Sequence, residues 1–385
     1  MVLYEERKDG VKMNSRERVI RTLNHQEADK VPVDFGGTVV TCTDYHAHKR
    51  LREYYHMEDE EDPIIDYSMG TVEPCQELKI RFESDFRRVG LNVGVPHIVD
   101  GIFENGFGNR LKRADPHLYY DTIYHPLKDA VIEDLDNMKM PNPDDPDLYI
   151  GLRDRARELY ENSPYAVVAD FGVPGFYETS QKLRGYENIS CDLLIDQDFV
   201  RALYDRLFEL QKRYFKNYLD QVGKYVQVIG YADDLGMQDR PQMSPEIYRT
   251  VVKPYHKKIF LFIHEQADVK ILLHSCGDIF PLIEDLIDAG VDILNPVQVR
   301  AREMEPDALK KTFGDRVCFW GGIDEQCILP FGTQEEIEAE VERMIRIMGQ
   351  GGGYVLGPGH NIQEDTRPES IAALYRAAKK YRDYK

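Results

Sequence analysis

His274 and Cys276 stand two residues apart in KILLHSCGDIFPLIEDLIDAGVDILNPV, residues 270 to 297. Side chains alternate across a strand, so residues two apart share a face. An imidazole and a thiol on one face supply one nitrogen and one sulfur donor, a pair that suits zinc better than magnesium or calcium. His360 follows GGGYVLGPG, where glycine lets the backbone turn sharply or approach a ligand closely. It could complete a metal site with the other two; the alternative is a histidine bonded to a neighbouring loop carbonyl. More polar residues recur where apolar runs end: Asp170, Asp233 and Asp234, Asn295 and Gln298, Asp324 and Gln326, and Asn361. A strand-end Asp or Asn also caps the helix that follows, and Asp324 and Asn295 are the most open to that reading.

The elements that must position these residues follow from the pattern of the chain. After a polar lead over residues 1 to 13, Asn14 caps an amphipathic helix to about Leu23, and a buried strand runs from Val31 to Phe35. Residues 85 to 127 hold short β-like pieces with turns at Asn105-Gly106 and Asp115-Pro116, which predict a β-hairpin insertion. From Leu148 onward helix and strand alternate. Helices are expected at 148–161, 187–222, 244–267, 279–289, 305–312, 334–349 and 367–382. Between them lie the strands YAVVADF, YVQVIGYADD, KILLHS, VDILNPV, VCFWGGID and GYVLGPG. Continuous apolar strands, each followed by an amphipathic helix, mark a parallel sheet covered on its faces. About eight such units predict closure into a (β/α)8 TIM barrel, α/β in class, with an N-terminal helical extension and the hairpin insertion. The strand-end residues then face one mouth. No linker, low-complexity tract or repeat divides residues 1–385, so one domain is expected.

Formal net charge is −19 over 385 residues, which opposes binding to nucleic acid or to an anionic membrane. Neither a signal peptide nor the ~20-residue apolar run of a membrane span stands out, and the expectation is a cytoplasmic protein. Six cysteines lie far apart, unlike a disulfide framework. Cys318 and Trp320 alternate within a strand and read as core. Cys42, Cys75, Cys191 and Cys327 have no polar company in the sequence and read as packing residues. His46 and His48 sit among charged residues in TDYHAHKRLREYYH, a solvated or half-buried helix face.

Several stretches together carry a resemblance: RERVIRTLNHQEADKVPVDFGG, GYADDLGMQDRPQMSPEIYRTVVKPYHKKIF, LLHSCGDIFPLIEDLIDAGVDILNPVQ, FWGGIDEQCILP and LGPGHNIQEDTRPESI. The chain resembles the uroporphyrinogen decarboxylase superfamily and, within it, the zinc-dependent methyltransferases linked to corrinoid proteins. The resemblance covers most of the chain from Asn14 onward. It implies the same (β/α)8 barrel with its pocket at the carboxyl ends of the strands, a zinc ion, and a corrinoid (cobalamin) carried by a partner protein. A homodimer is also implied.

Two departures bear on the reaction. Decarboxylases of the superfamily carry an R-Q-A-G-R-like segment after the first strand, whose guanidinium forks hold substrate carboxylates; here VDFGGTVVTCTDY has no arginine. The thiol-methylating branch resembles H-x-C plus a late cysteine, and the late position here holds His360. One thiolate and two neutral imidazoles leave zinc at a net charge of +1, whereas two thiolates leave it neutral. The more electrophilic ion suits polarisation of an ether oxygen. The expected function is therefore methyl transfer from a small O-methylated substrate to a corrinoid protein. Asp234 or Asp233 would act as fourth ligand or as acid/base for the departing oxygen, and only one of the two can point inward. Phe171, Phe176, Tyr177 and Tyr231 would suit an apolar or aromatic substrate. The alternatives are a methylcorrinoid:thiol methyltransferase, a uroporphyrinogen decarboxylase-type lyase that needs no metal, and a binding barrel without turnover.

Overall fold

Seven short runs form parallel strands, each rejoining the next after a helical crossover. They are β1 (Phe86–Val89), β2 (Ala166–Ala169), β3 (Val228–Ala232), β4 (Lys270–His274), β5 (Ile293–Asn295), β6 (Cys318–Trp320) and β7 (Tyr354–Val355). The computed structural model describes residues 13–57, 62–114 and 119–384. In it the seven strands lie side by side in chain order, every neighbouring pair parallel.

Residues 31–35 close the gap between the two edges. Val33 forms a parallel bridge to Leu356, with Asp34 N donating to Leu356 O at 2.8 Å and Leu356 N to Pro32 O at 2.9 Å. On the other side Asp85 N donates to Val33 O at 2.8 Å. The result is a ring of eight parallel segments, the expected (β/α)8 barrel. The first segment is bridged rather than laddered because Pro32 has no N–H to give.

Alternation divides the side chains into two cores. Phe86, Val168, Val228, Leu272, Ile293 and Trp320 fill the ring, and Val19 and Leu23 of the helix Ser15–Leu23 plug its lower end. Their neighbours in sequence, such as Val167, Ile229, Tyr231 and Leu273, face the helix layer. The plug helix starts as expected, with Asn14 and Glu17 in a reciprocal capping box.

Several elements depart from expectation. The helix expected at 187–222 is two helices, Tyr186–Ile195 and Gln197–Val222, because Asp196 leaves the helical conformation to cap Phe199 N at 3.2 Å. A separate helix, Phe176–Arg184, precedes them. The stretch 244–267 contains a wide turn at Tyr248–Val252 ahead of the helix Lys253–Gln266, where Pro254 interrupts the hydrogen-bond ladder. The start expected at 148 is a short turn, Pro146–Tyr149; the helix begins at Leu152 after Gly151, whose φ is 67°. The insertion is a three-stranded antiparallel meander, Ile102–Glu104, Arg110–Arg113 and Tyr120–Tyr124. Its Asn105-Gly106 turn is formed, with Asn105 Oδ1 accepting from Phe107 N and Asn109 N; the expected Asp115-Pro116 turn lies outside the described residues. A second small sheet, Thr43–Asp44, Thr71–Val72 and Ile64–Asp66, had no counterpart in the sequence reading. It lies near the last strand, since Thr43 bridges Ile362.

One buried carboxylate ties the ring's lower end together. Asp85 accepts from Arg18 Nη1 at 2.6 Å, from Val33 N at 2.9 Å and from Arg382 Nη2. It thereby joins the plug helix, the first barrel segment, the entry to β1 and the chain's last helix. Removing one member of a buried ion network leaves the others desolvated without compensation. Asp85→Ala should destabilise the fold by about 3 kcal/mol, read as a lower urea midpoint with an unchanged slope.

Candidate metal centre

Ladder register sets the height of each residue at the mouth. His274, the last residue of β4, pairs with Ala232 of β3 and Asn295 of β5. Two residues further on, Cys276 and Asp234 return to the inward face. The loops carrying them are pressed together at Gly236 and Gly277. A Cβ at Gly277 would lie 2.4 Å from the backbone of Gly236, and Gly277 itself has φ +87°, so the approach requires glycine. That contact lets Cys276 N donate to Asp234 Oδ1 at 2.8 Å.

His274 Nδ1 lies 2.6 Å from Asn295 Oδ1, and Asn295 Nδ2 donates to Trp320 O at 3.1 Å. The second bond turns the amide so that its oxygen faces the ring. An amide oxygen only accepts, so Nδ1 carries the proton and the Nε2 lone pair is free. Nε2 is 3.4 Å from Cys276 Sγ. His360 is treated alike: its Nδ1 meets Asn361 Oδ1. Asn361 is buried and held by Tyr119 Oη at 2.7 Å, Gln363 Nε2 at 2.9 Å and Thr71 Oγ1 at 3.0 Å. The ligand atoms of His274, Cys276 and His360 all lie within 4.8 Å of one another.

Electrostatics suit a cation at this place. Burial, with His274 adding to it, lowers His360 to about 3, so its ring is neutral. Burial pushes the Cys276 thiol well above its ordinary value, and Asp234, Glu325 and Glu178 push the same way. Its proton therefore leaves when a cation takes its place. Two neutral imidazoles and one thiolate form a donor set that fits zinc, so these residues are chemically suited to hold that ion. Asp234 Oδ1 stands 4.0 Å from His274 Nε2, at the edge of the set.

The other expected site residues divide clearly. Phe171 reaches the mouth, edge-on to His274 at 6.0 Å, lying over Gly230 where a Cβ would come within 2.8 Å of its ring. Asp170 faces inward, accepting from Arg88 Nε at 2.7 Å and Val39 N at 3.0 Å. Asp233 faces the other way. It is fully buried, accepts from Tyr177 N and Glu178 N at 3.1 and 2.7 Å, and meets His256 Nε2 at 2.9 Å, so it anchors the helix Phe176–Arg184 rather than the site. Tyr231, on the same parity, is buried in the helix layer with its hydroxyl on Gln211. Phe176 packs on Tyr204, Tyr255 and His256, and the buried Tyr177 directs its hydroxyl to Gln242. These three aromatics do not line the mouth. Gln298 accepts from Gly277 N at 2.6 Å and braces the loop of Cys276. Asp324 pairs with Arg300 and accepts from Gln326 N and Cys327 N, the capping role, and Gln326 is exposed.

Three mouth residues escaped the sequence reading. Arg88 lies two residues after the inward Phe86, so parity alone could have placed it; it pairs with Asp170 and with Glu73 at 3.0 Å. Tyr119 comes from the insertion, and no local signal points to it. Glu325 lies against Gly359, where a Cβ would come within 2.1 Å of its carboxylate, and burial raises it to about 7. The reading of His48 as a solvated face is corrected: it is 1% exposed, with Nδ1 2.8 Å from Asp62 Oδ2. Cys75 correspondingly has polar company, its N–H lying 3.4 Å from His48 Nε2. Cys318 and Trp320 are core residues, as expected.

The sequence profile of uroporphyrinogen decarboxylase (URO-D) matches residues 129–381. A uroporphyrinogen decarboxylase of Synechococcus sp. (strain CC9605) is 25% identical over 256 residues, 65% of this chain and 68% of that protein. The methylcobamide:CoM methyltransferase MtaA of Methanosarcina barkeri is 30% identical over 156 residues, 40% of this chain and 42% of that protein, so less than half of its length is matched. A solved methyltransferase from Methanosarcina mazei superposes with a TM-score of 0.66 at 18% identity, over 96% of this chain and 99% of that one, and so shares the fold.

Outer-shell acceptors that fix a histidine's tautomer typically contribute 10- to 100-fold in metal affinity. Asn295→Leu, which removes the acceptor from His274 Nδ1, should weaken zinc binding by roughly that factor in a chelator competition, whereas Asn295→Asp should preserve it.

Proposed function

We propose that this chain, which belongs to the uroporphyrinogen decarboxylase family, is a zinc-dependent methyltransferase that moves a methyl group from a small O-methylated substrate to a corrinoid carried by a partner protein. The observation that carries this reading is the cluster of His274, Cys276 and His360 at the mouth, with both imidazole Nδ1 atoms tied to asparagine oxygens. Zinc held by one thiolate and two neutral imidazoles would have net charge +1 and supply a Lewis acid for an ether oxygen.

The chain's own residues have distinct parts. Asn295 and Asn361 hold the rings so that Nε2 of each faces the shared centre. Cys276 gives up its proton on metal binding. Asp234, beside His274 and accepting from Cys276 N, would serve as a further ligand or carry the proton for the departing oxygen. Phe171 supplies an apolar wall against an aromatic or alkyl substrate and keeps water from that side. Phe176, Tyr177 and Tyr231 have no part in it, since the helix layer buries them.

Decarboxylation of a polycarboxylated substrate fits less well. Of the cations at the mouth, Arg88 is engaged by Asp170 and Glu73, and Lys182 by Glu178 at 2.6 Å. Thiol methylation shares the metal but, by the resemblance above, is expected with a second cysteine where His360 stands. The similarity to the methylcobamide:CoM methyltransferase of Methanosarcina barkeri supports corrinoid-linked methyl transfer as the reaction class.

Metal content measured by inductively coupled plasma mass spectrometry after zinc-supplemented expression should show about one zinc per chain, as such a donor set binds. The content should fall in both Cys276→Ser and His360→Ala. Methoxylated aromatics should then methylate a reduced corrinoid protein with the wild type and not with either variant. A wild type free of zinc sinks the metal reading; a zinc-loaded wild type inert across a broad panel of methyl ethers sinks the substrate class.

A further inference from the structure

Away from the mouth, a second group of reactive side chains comes together where the sequence shows only scattered residues. His48 lies on the helix Tyr45–Tyr54, Asp62 precedes the strand Ile64–Asp66, and Cys75 follows the strand Thr71–Val72. His48 is buried and stands between the other two. Its Nδ1 is 2.8 Å from Asp62 Oδ2, close though off the line of a straight hydrogen bond. Its Nε2 accepts from the Cys75 backbone N–H at 3.4 Å, which sets the ring beside the Cys75 side chain. Asp62 is fixed in turn by Arg52 Nη1, at 3.1 Å to each of its oxygens.

This is the order of groups that activates a thiol: nucleophile, base, and a carboxylate that steadies the base. A cysteine reacts as its thiolate, and a histidine positioned to take its proton raises the thiolate fraction. Burial opposes ionisation of Cys75, but the neighbouring His48 and the Leu78 N–H outweigh it, and the thiol lies below its ordinary value. Cys75 is half-buried, so a small reagent can reach it. Nothing in the proposed methyl transfer uses these residues, and the metal cluster does not include them.

We propose that Cys75 is a thiol-modification site, activated by His48 and Asp62, that exchanges with low-molecular-weight disulfides. The Cys75 S–H proton passes to His48 Nε2. The thiolate attacks one sulfur of the disulfide, the disulfide's S–S bond breaks, and a mixed disulfide forms on Cys75. The released thiolate takes the proton from His48 and leaves as a free thiol, so the disulfide is itself the oxidant and no other is required.

The test is competitive labelling of the intact chain with limiting iodoacetamide, quantified by peptide mass spectrometry, with the exposed Cys191 and Cys327 as internal references. At pH 7 Cys75 should react about tenfold faster than either reference, because more of it is present as thiolate. The advantage should vanish in His48→Gln and shrink in Asp62→Asn, and it should close at alkaline pH, where all three are ionised. Incubation with glutathione disulfide should add one glutathione mass at Cys75 before the references. Should His48→Gln fail to fold, which labelling of the buried Cys42 and Cys318 would reveal, Asp62→Asn alone decides. A Cys75 no faster than the exposed cysteines at pH 7, or equally fast in every folded variant, overturns the proposal.

Discussion

Everything at the mouth depends on one constraint: in a parallel ring the register fixes height, and the two-residue alternation fixes direction. His274 is level with Ala232 and Asn295, so the small Ala232 leaves room on one side while Asn295 supplies an acceptor on the other. A one-residue slip of β4 would send His274 and Cys276 into the helix layer and bring Leu273 and Ser275 to the mouth. The ring resists such a slip because both faces are apolar and packed. Leu272 is buried inside the barrel and Leu273 outside it, and closure through Val33 leaves no free edge along which a strand could shift.

Within that frame the polar groups of the mouth are almost all committed to one another. Arg88, Asp170, Glu73 and Lys79 neutralise each other along one wall. Asp324, Gln298 and Asn361 satisfy backbone or side-chain partners. Buried polar groups left unpaired are costly, so such a network stabilises the wall and also leaves it with little capacity to bind a new ligand. What it leaves without a hydrogen-bond partner outside the cluster, among the described residues, are the two imidazole Nε2 atoms and the Cys276 sulfur, and Cys276 Sγ meets His274 Nε2 at 3.4 Å. Those atoms lie within 4.8 Å of one another, a spacing that one cation could span.

The fold was readable because the signal was redundant. Apolar runs such as VIGYA and KILLH, alternating with amphipathic helices, identify a parallel barrel without any single boundary being right, and the break at Asp196 or the wide turn before Pro254 changes nothing in the topology. The approach of His274, Cys276 and His360 was readable because H-x-C places two donors on one face of a strand, and GPGH puts a third at the last strand's end. Parity was available but incompletely used: it assigns Asp234 inward with Cys276 and sends Asp233 and Tyr231 outward, and it places Arg88 with Phe86. Tyr119, Glu325 and the His48–Cys75 contact were beyond reach. Each depends on an insertion or loop brought back over a long separation, for which neither periodicity nor spacing carries information.

The charge around Cys276 shows why this mouth favours a cation over an anionic ligand. Asp234, Glu325 and Glu178 each raise the energy of a thiolate there, as does burial, so in the absence of a counter-charge the sulfur keeps its proton. The same field that disfavours the thiolate favours a divalent ion in contact with it. Binding of an ion by these residues would therefore be coupled to loss of the thiol proton. Raising the acidity of the medium opposes it twice, by competing for the sulfur and by neutralising Glu325, whose carboxyl titrates near 7. A neutral His360, held far from protonation by burial, adds no such competition. The late imidazole thus offers a donor atom with no proton on it to displace.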